Sequence, residues 1–142
     1  MVCEHGSVKS LMAASLFNAE ASRRGLPFRA IARGVTPDAS VPTKIADALK
    51  REGLDVSEFR PSAVSNDDVT QGTYVVTIGV DPTKVAGKQS ARSEQWDDVP
   101  AASVDYASAH AALQRHVEQL LGQLVNRSPN DLLNYPRAWE RK

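Results

Sequence analysis

The chain has 142 residues, of which 42% are hydrophobic, and its 17 Lys and Arg balance its 17 Asp and Glu. This length suits one domain with a sizeable core, and a charged fraction of 24% excludes a disordered or fibrous chain. A formal net charge of zero argues against bulk electrostatic attraction to nucleic acid or to a membrane.

Helix and strand patterns alternate along the first half of the chain. Apolar side chains at helical spacing predict a helix over residues 10–24. Rough alternation of apolar and polar side chains predicts a strand over residues 28–35. A second helix is expected over residues 42–52, with a proline near its first turn, followed by an extended connector at residues 54–60.

The alternation continues in the second half. Residues 66–71 are expected to form one short helical turn. Residues 74–80 are almost wholly apolar and β-branched, as expected for a strand covered on both faces. Residues 81–103 are predicted to be mostly loop, with a short strand near residues 93–96. A long helix is predicted over residues 107–126.

This order of elements predicts an α/β domain, with a parallel four-stranded sheet and helices on both faces. Only Met1 and Val2 precede Cys3, so we expect the first strand to be largely missing and its neighbours in the sheet to be left unpaired. The domain is expected to span residues 1–126, and residues 127–142 are expected to form a polar C-terminal tail.

The number of cysteines and the hydropathy of the sequence indicate in which cellular compartment the protein is expected. No run of roughly 18 apolar residues is available to cross a bilayer, and residues 1–10 lack the apolar stretch of a signal peptide. The single cysteine, Cys3, excludes an internal disulfide framework and is typical of a reducing compartment. We therefore expect a cytoplasmic protein with no membrane or nucleic-acid partner.

The most informative stretch for chemistry is Cys-Glu-His-Gly-Ser-Val-Lys-Ser at residues 3–10, directly before the first helix. A loop that leads into a helix N-terminus presents unpaired N–H groups and the positive end of the helix dipole, and so suits an anion. Gly6 permits the positive φ that such a loop needs. Helix N-termini stabilise thiolates, Lys9 adds a positive charge, and the Ser10 hydroxyl is placed to hydrogen-bond a thiolate at Cys3.

The pattern Cys-x5-Lys-Ser followed by Leu-Met-Ala-Ala resembles the signature of low-molecular-weight protein-tyrosine phosphatases and their relatives, the arsenate reductases. Their loop is Cys-x5-Arg-Ser/Thr. Ordered matches follow, so that the resemblance covers roughly residues 2–125. Residues 32–35 resemble the end of a family strand, residues 49–57 a family helix end, residues 74–78 the central strand, and residues 96–100 the late loop that carries an acid.

The resemblance implies the sheet order 2-1-3-4 and a two-step reaction. The Cys3 thiolate attacks phosphorus, and water hydrolyses the resulting cysteinyl-phosphate. Asp98, with Asp97 second, matches the acid that protonates the leaving oxygen. Trp96 is implied as a wall of the pocket. The remaining residues implied to bind the substrate oxygens are Glu4, His5, Gly6, Ser7, Val8 and Lys9, with Ser10 beside the thiol.

Two residues depart from the family pattern and bear on activity. Lys9 stands where the family has Arg, and an ammonium group is a point charge that cannot bind two phosphate oxygens in a planar fork. We therefore expect weaker oxyanion binding and a slower chemical step. Val99 separates Asp98 from Pro100, whereas the family's acid is followed directly by proline. The direction in which the Asp98 side chain points is therefore expected to differ.

Each site residue also has a purely structural interpretation. Cys3 could be a small buried hydrophobe, and Ser7 and Ser10 could be plain helix caps. Asp97 and Asp98 could form a solvated turn, and Trp96 could simply pack in the core. His110 and His116 lie six residues apart, which is the wrong spacing for a shared metal face. No metal or cofactor is therefore expected.

Three functions remain open. The first is a phosphatase that acts on a phosphorylated protein, through phosphotyrosine, or on a small phosphate ester. The second is an arsenate reductase; because the chain has one cysteine, it would need an external thiol. The third is a weak or inactive oxyanion-binding module, as the Lys9 replacement suggests. A homodimer is an open alternative in each case.

Overall fold

The structure is a computed structural model that describes residues 1–71, 74–85 and 92–125. In this part of the chain, strands and helices alternate. The strands are β1 (Val2–Cys3), β2 (Arg33–Gly34), β3 (Val75–Ile78) and β4 (Ser93–Trp96). The helices are α1 (Lys9–Arg23), α2 (Thr43–Arg51), α3 (Asn66–Gln71) and α4 (Tyr106–Val125), with a 3-10 turn at Pro82–Lys84.

The four strands form one parallel sheet in the order β2-β1-β3-β4, which confirms the predicted fold class and strand order. Strand β1 has only two residues, yet it lies in the middle of the sheet. Val2 pairs with Arg33 of β2 on one side and with Thr77 of β3 on the other. The expectation that the neighbouring strands would be left unpaired is therefore wrong, because two residues suffice to join them.

Strand β2 is much shorter than the predicted strand over residues 28–35. Its partner β1 offers only two residues for pairing. Just upstream, the side chain of Asn18 replaces a strand partner, since its Oδ1 accepts from the Ala30 N–H at 2.7 Å and its Nδ2 donates to the Ala30 carbonyl at 3.0 Å. The backbone of Ala30 is thus satisfied without a sheet. The predicted tail lies outside the described residues.

Helices cover both faces of the sheet, as predicted. One face carries the main core, in which α1 packs against α4 and the side chains of Met12, Leu49, Leu113 and Leu121 are fully buried. Burying one such side chain stabilises the fold by about 1.5–3 kcal/mol. The other face carries a smaller cluster, made of Val2, Val69 of α3 and Val85.

Two backbones meet in close contact where the loop after β1 lies on the end of β2. A Cβ added to Gly34 would lie 2.6 Å from the Gly6 nitrogen, and a Cβ added to Gly6 would lie 2.7 Å from the Gly34 nitrogen. Gly6 also has a φ of 65°, in the left-handed region. Neither position has room for a side chain, so this contact sets where the loop sits.

Gly34→Ala should lower the free energy of unfolding by about 1–3 kcal/mol, because a neighbouring backbone rather than a flexible side chain would have to move. Urea unfolding measures this change. Gly122→Ala in α4 is the control: no atom outside its own helical turn lies within 4 Å of the added Cβ. Its stability should be unchanged or higher by up to about 1 kcal/mol. A Gly34 variant as stable as the wild type would contradict the close contact.

Candidate active site

Cys3 is the last residue of β1, and its thiol lies under the start of α1. The Sγ atom accepts hydrogen bonds from the backbone N–H of Gly6 at 3.2 Å and from that of Ser10 at 3.4 Å. Cys3 Sγ and Ser10 Oγ are hydrogen-bonded at 3.1 Å. Cys3 is only 5% exposed. The expected cluster of thiol, amides and hydroxyl is therefore present, at the positive end of a helix dipole.

The loop is held by backbone hydrogen bonds that continue the pairing of β1 with β2. The N–H of Val35 donates to the Cys3 carbonyl at 3.0 Å, and the N–H of Thr36 donates to the Glu4 carbonyl at 2.7 Å. The N–H of Asp38 donates to the His5 carbonyl at 3.0 Å. The loop carbonyls are occupied on this side, which leaves the loop's N–H groups to turn toward the sulfur.

Side chains tie the same loop to the segment after β2. The hydroxyl of Ser7, fully buried, donates to Asp38 Oδ2 at 2.6 Å. His5 Nδ1 lies 3.2 Å from the Thr36 carbonyl oxygen and 3.5 Å from Asp38 Oδ1. Sequence reasoning missed Asp38. It follows a strand at the edge where all parallel strands end, and that placement could have indicated it.

Lys9 begins α1 and faces the carboxyl end of β3. A Cβ added to Gly79, just after β3, would lie 3.3 Å from Lys9 Nζ. No hydrogen bond or ion pair within the described residues occupies this ammonium group. A free cation near the thiol and near a helix N-terminus is suited to binding an oxyanion.

A cavity of about 950 Å³ opens above the thiol. It is lined by Ile78 at the end of β3 and by six residues of the loop: Cys3, Glu4, His5, Ser7, Val8 and Lys9. Helix α2 and the chain before α4 form the other walls. The residues that line these other walls include Asp38, Lys44, Arg51, Glu52, Ala101, Ala102, Ser103, Val104, Tyr106 and His110.

Sequence reasoning also missed a cluster at the cavity wall between α2 and α4. The Tyr106 hydroxyl donates to Glu52 Oε2 at 2.8 Å, and His110 Nε2 lies 2.6 Å from Glu52 Oε1. Burial, with the hydrogen bond to Glu52, raises the pKa of the Tyr106 phenol. These residues come from distant parts of the chain, and no local pattern indicates that they meet.

The late loop places its acidic residues away from the cavity. Asp97, Asp98 and Trp96 are not among the described residues that line it. Asp98 Oδ1 lies 2.6 Å from Nε2 of His116 in α4, and this hydrogen bond lowers the pKa of the Asp98 carboxyl. Trp96 is 2% exposed and stacks on the His116 ring, with ring centroids 4.7 Å apart. The part of the loop that lines the cavity is instead Ala101–Val104.

The geometry agrees with a comparison to known families. A family model described as "Low molecular weight phosphotyrosine protein phosphatase" matches residues 1–119. The chain belongs to this family. The resemblance inferred from the sequence is thus confirmed over most of the chain. The matched residues include the loop that carries Cys3 and the late loop at residues 96–100.

Solved structures share the fold. YfkJ from Bacillus subtilis superposes with a TM-score of 0.74 at 20% identity, over 89% of this chain and 94% of that one. A low molecular weight protein tyrosine phosphatase from T. tengcongensis gives 0.73 at 20% identity, over 86% and 95%. An arsenate reductase from Archaeoglobus fulgidus gives 0.67 at 25% identity, over 85% and 96%. No curated protein matches the chain.

Family and neighbours together support a cysteine phosphatase or an arsenate reductase. Among the described residues, no group of three or more His, Cys, Asp or Glu side chains is arranged to hold a metal ion. In the same part of the chain, no helix combines the length and the apolar character needed to cross a membrane.

Proposed function

We propose that this phosphatase family member hydrolyses phosphotyrosine or small phosphate monoesters through a cysteinyl-phosphate intermediate. The observation that carries the proposal is the thiol of Cys3, which accepts hydrogen bonds from two loop N–H groups at the base of a cavity. The thiolate is the form of cysteine that attacks phosphorus, and these two N–H groups face the sulfur that would attack.

The reaction uses the loop in two ways. The Cys3 sulfur attacks phosphorus and forms the S–P bond while the P–O bond to the leaving group breaks. The N–H groups at the start of α1 and the Lys9 ammonium group then hold the phosphoryl oxygens, where negative charge is concentrated. Water attacks the S–P intermediate, releases inorganic phosphate and regenerates the thiolate.

The acid role of Asp98, with Asp97 second, stays a prediction. A general acid needs a proton at the working pH. The His116 hydrogen bond lowers the pKa of Asp98 and so favours its carboxylate form.

A reducing compartment such as the cytoplasm would suit an enzyme whose nucleophile is its one cysteine. A domain boundary at residue 126 and a homodimer likewise stay predictions.

Cys3→Ser should abolish turnover of p-nitrophenyl phosphate, because a serine hydroxyl in this setting has no comparable anionic form. Release of p-nitrophenol measures the rate. Ser15→Ala is the control, since Ser15 lies in the same helix and lines no part of the cavity. Turnover that survives the Cys3 change would overturn the proposal, as would a wild-type protein with no turnover.

A second candidate is arsenate reduction, favoured by the likeness to the Archaeoglobus fulgidus arsenate reductase at 25% identity. The Cys3 thiolate would displace an arsenate oxygen, which leaves as water once protonated, and form an S–As bond. An external thiol would then attack the Cys3 sulfur, form a disulfide and leave the electron pair on arsenic, which departs as arsenite. A second external thiol would reduce this disulfide and regenerate the Cys3 thiol. The thiol must be external because the sequence holds no second cysteine.

Arsenate reduction predicts that the protein consumes a low-molecular-weight thiol only when arsenate is present. Loss of free thiol, followed with a thiol reagent, measures the reaction, and Cys3→Ser should abolish it. Inorganic phosphate in place of arsenate is the matched control and should consume no thiol. Thiol loss that does not depend on arsenate would exclude this function.

Lys9→Arg separates a weakened enzyme from an inactive oxyanion-binding module. Guanidinium adds a second hydrogen bond to the phosphoryl group, so kcat/KM for p-nitrophenyl phosphate should rise about tenfold, equivalent to about 1.4 kcal/mol. The Lys9 ammonium group lies beside Gly79, which carries no side chain. Phosphate binding without turnover in both proteins would instead support the binding module.

A further inference from the structure

The proposed hydrolysis needs a proton for the leaving oxygen, and the cavity wall limits where it can come from. The late loop lines the cavity with Ala101–Val104, whose side chains carry no group that titrates near neutral pH. Among the described residues of the wall, carboxylates come from three positions only. These are Glu4, Asp38 and Glu52.

Two of these carboxylates are already engaged. Asp38 accepts from the Ser7 hydroxyl at 2.6 Å and lies beside His5. Glu52 is held by Tyr106 and His110. Each would have to break short hydrogen bonds before it could serve a substrate. Asp38 and Glu52 are therefore better explained as parts of the wall.

Glu4 differs from both. It follows the nucleophile Cys3 directly, it lines the cavity, and its backbone is fixed by the hydrogen bond from the Thr36 N–H at 2.7 Å. No hydrogen bond or ion pair within the described residues holds its carboxylate. It is half-buried beside an anion-binding loop. An ionised carboxylate there would repel a phosphate, so its presence calls for a function.

We propose that Glu4, and not Asp98, is the proton-transfer residue of this site; this inference rests on the proposed phosphatase function. In the first step the thiolate forms the S–P bond, the P–O bond breaks with its electron pair on oxygen, and Glu4 donates a proton to that oxygen. In the second step the Glu4 carboxylate accepts a proton from the attacking water, while the S–P bond breaks and the electron pair returns to sulfur.

The make-up of the cavity supports this assignment. The carboxyl group of Glu4 and the thiol of Cys3 line the same cavity, so a phosphate bound at the thiol would lie in the space that Glu4 shares. The charged or titratable groups that share this cavity with Glu4 are Cys3, His5, Lys9, Asp38, Lys44, Arg51, Glu52, Tyr106 and His110.

The test compares two esters that differ in leaving group. Phenyl phosphate releases a phenol that needs a proton, with a pKa of about 10 like that of tyrosine, whereas 2,4-dinitrophenyl phosphate releases a stable anion. Glu4→Gln should lower kcat/KM for phenyl phosphate by about 10²-fold or more and leave kcat/KM for the dinitrophenyl ester nearly unchanged, because kcat/KM reports formation of the intermediate and not its hydrolysis. Glu4→Asp keeps a carboxyl group and should recover part of the phenyl phosphate rate.

Glu58→Gln is the matched control, because Glu58 is exposed and lies outside the cavity. An equal loss of kcat/KM on both esters would overturn the role of Glu4 and leave the phosphatase function standing. A loss that depends on the leaving group in Asp98→Asn instead would also overturn it. A wild-type protein that hydrolyses neither ester would overturn both proposals.

Discussion

The contact between the backbones of Gly6 and Gly34 is the constraint on which the candidate site depends. With no Cβ between them, the loop after β1 lies directly on the end of β2, and the hydrogen bonds from Val35 and Thr36 hold it there. The carbonyls of Cys3, Glu4 and His5 thereby face the segment after β2, while the N–H groups of Gly6 and Ser10 face the sulfur. Cys3 receives those amides because β1 ends at the same edge of the parallel sheet.

The balance of charge at the site follows from this arrangement. In the proposed function, attraction for an oxyanion comes first from backbone N–H groups and the N-terminus of α1, which carry no mobile side chain. Lys9 adds a single point charge without the fork of an arginine. The carboxylates of Glu4, Asp38 and Glu52 line the same cavity and would oppose this attraction.

The sequence predicted an element or a loop correctly wherever the pattern lay within one short stretch of the chain. The short strand near residues 93–96 and the long helix that became α4 follow from patterns of neighbouring side chains. The thiol loop is contiguous, so its members could be named together. The length of β2 could not be predicted, because it depends on the two residues of β1 and on the side chain of Asn18. The wall formed by Glu52 and His110 joins distant segments and leaves no local pattern.

The position of β1 also has a consequence for how the molecule folds. Val2 pairs with Arg33 and with Thr77, so the central strand can be completed only after long stretches of chain have been brought together. Contacts so distant in sequence are entropically costly to form and slow to appear. The protein's one thiol, that of Cys3, becomes buried when these strands pair. Its loss of reactivity toward a thiol reagent during folding would therefore report when the sheet is complete.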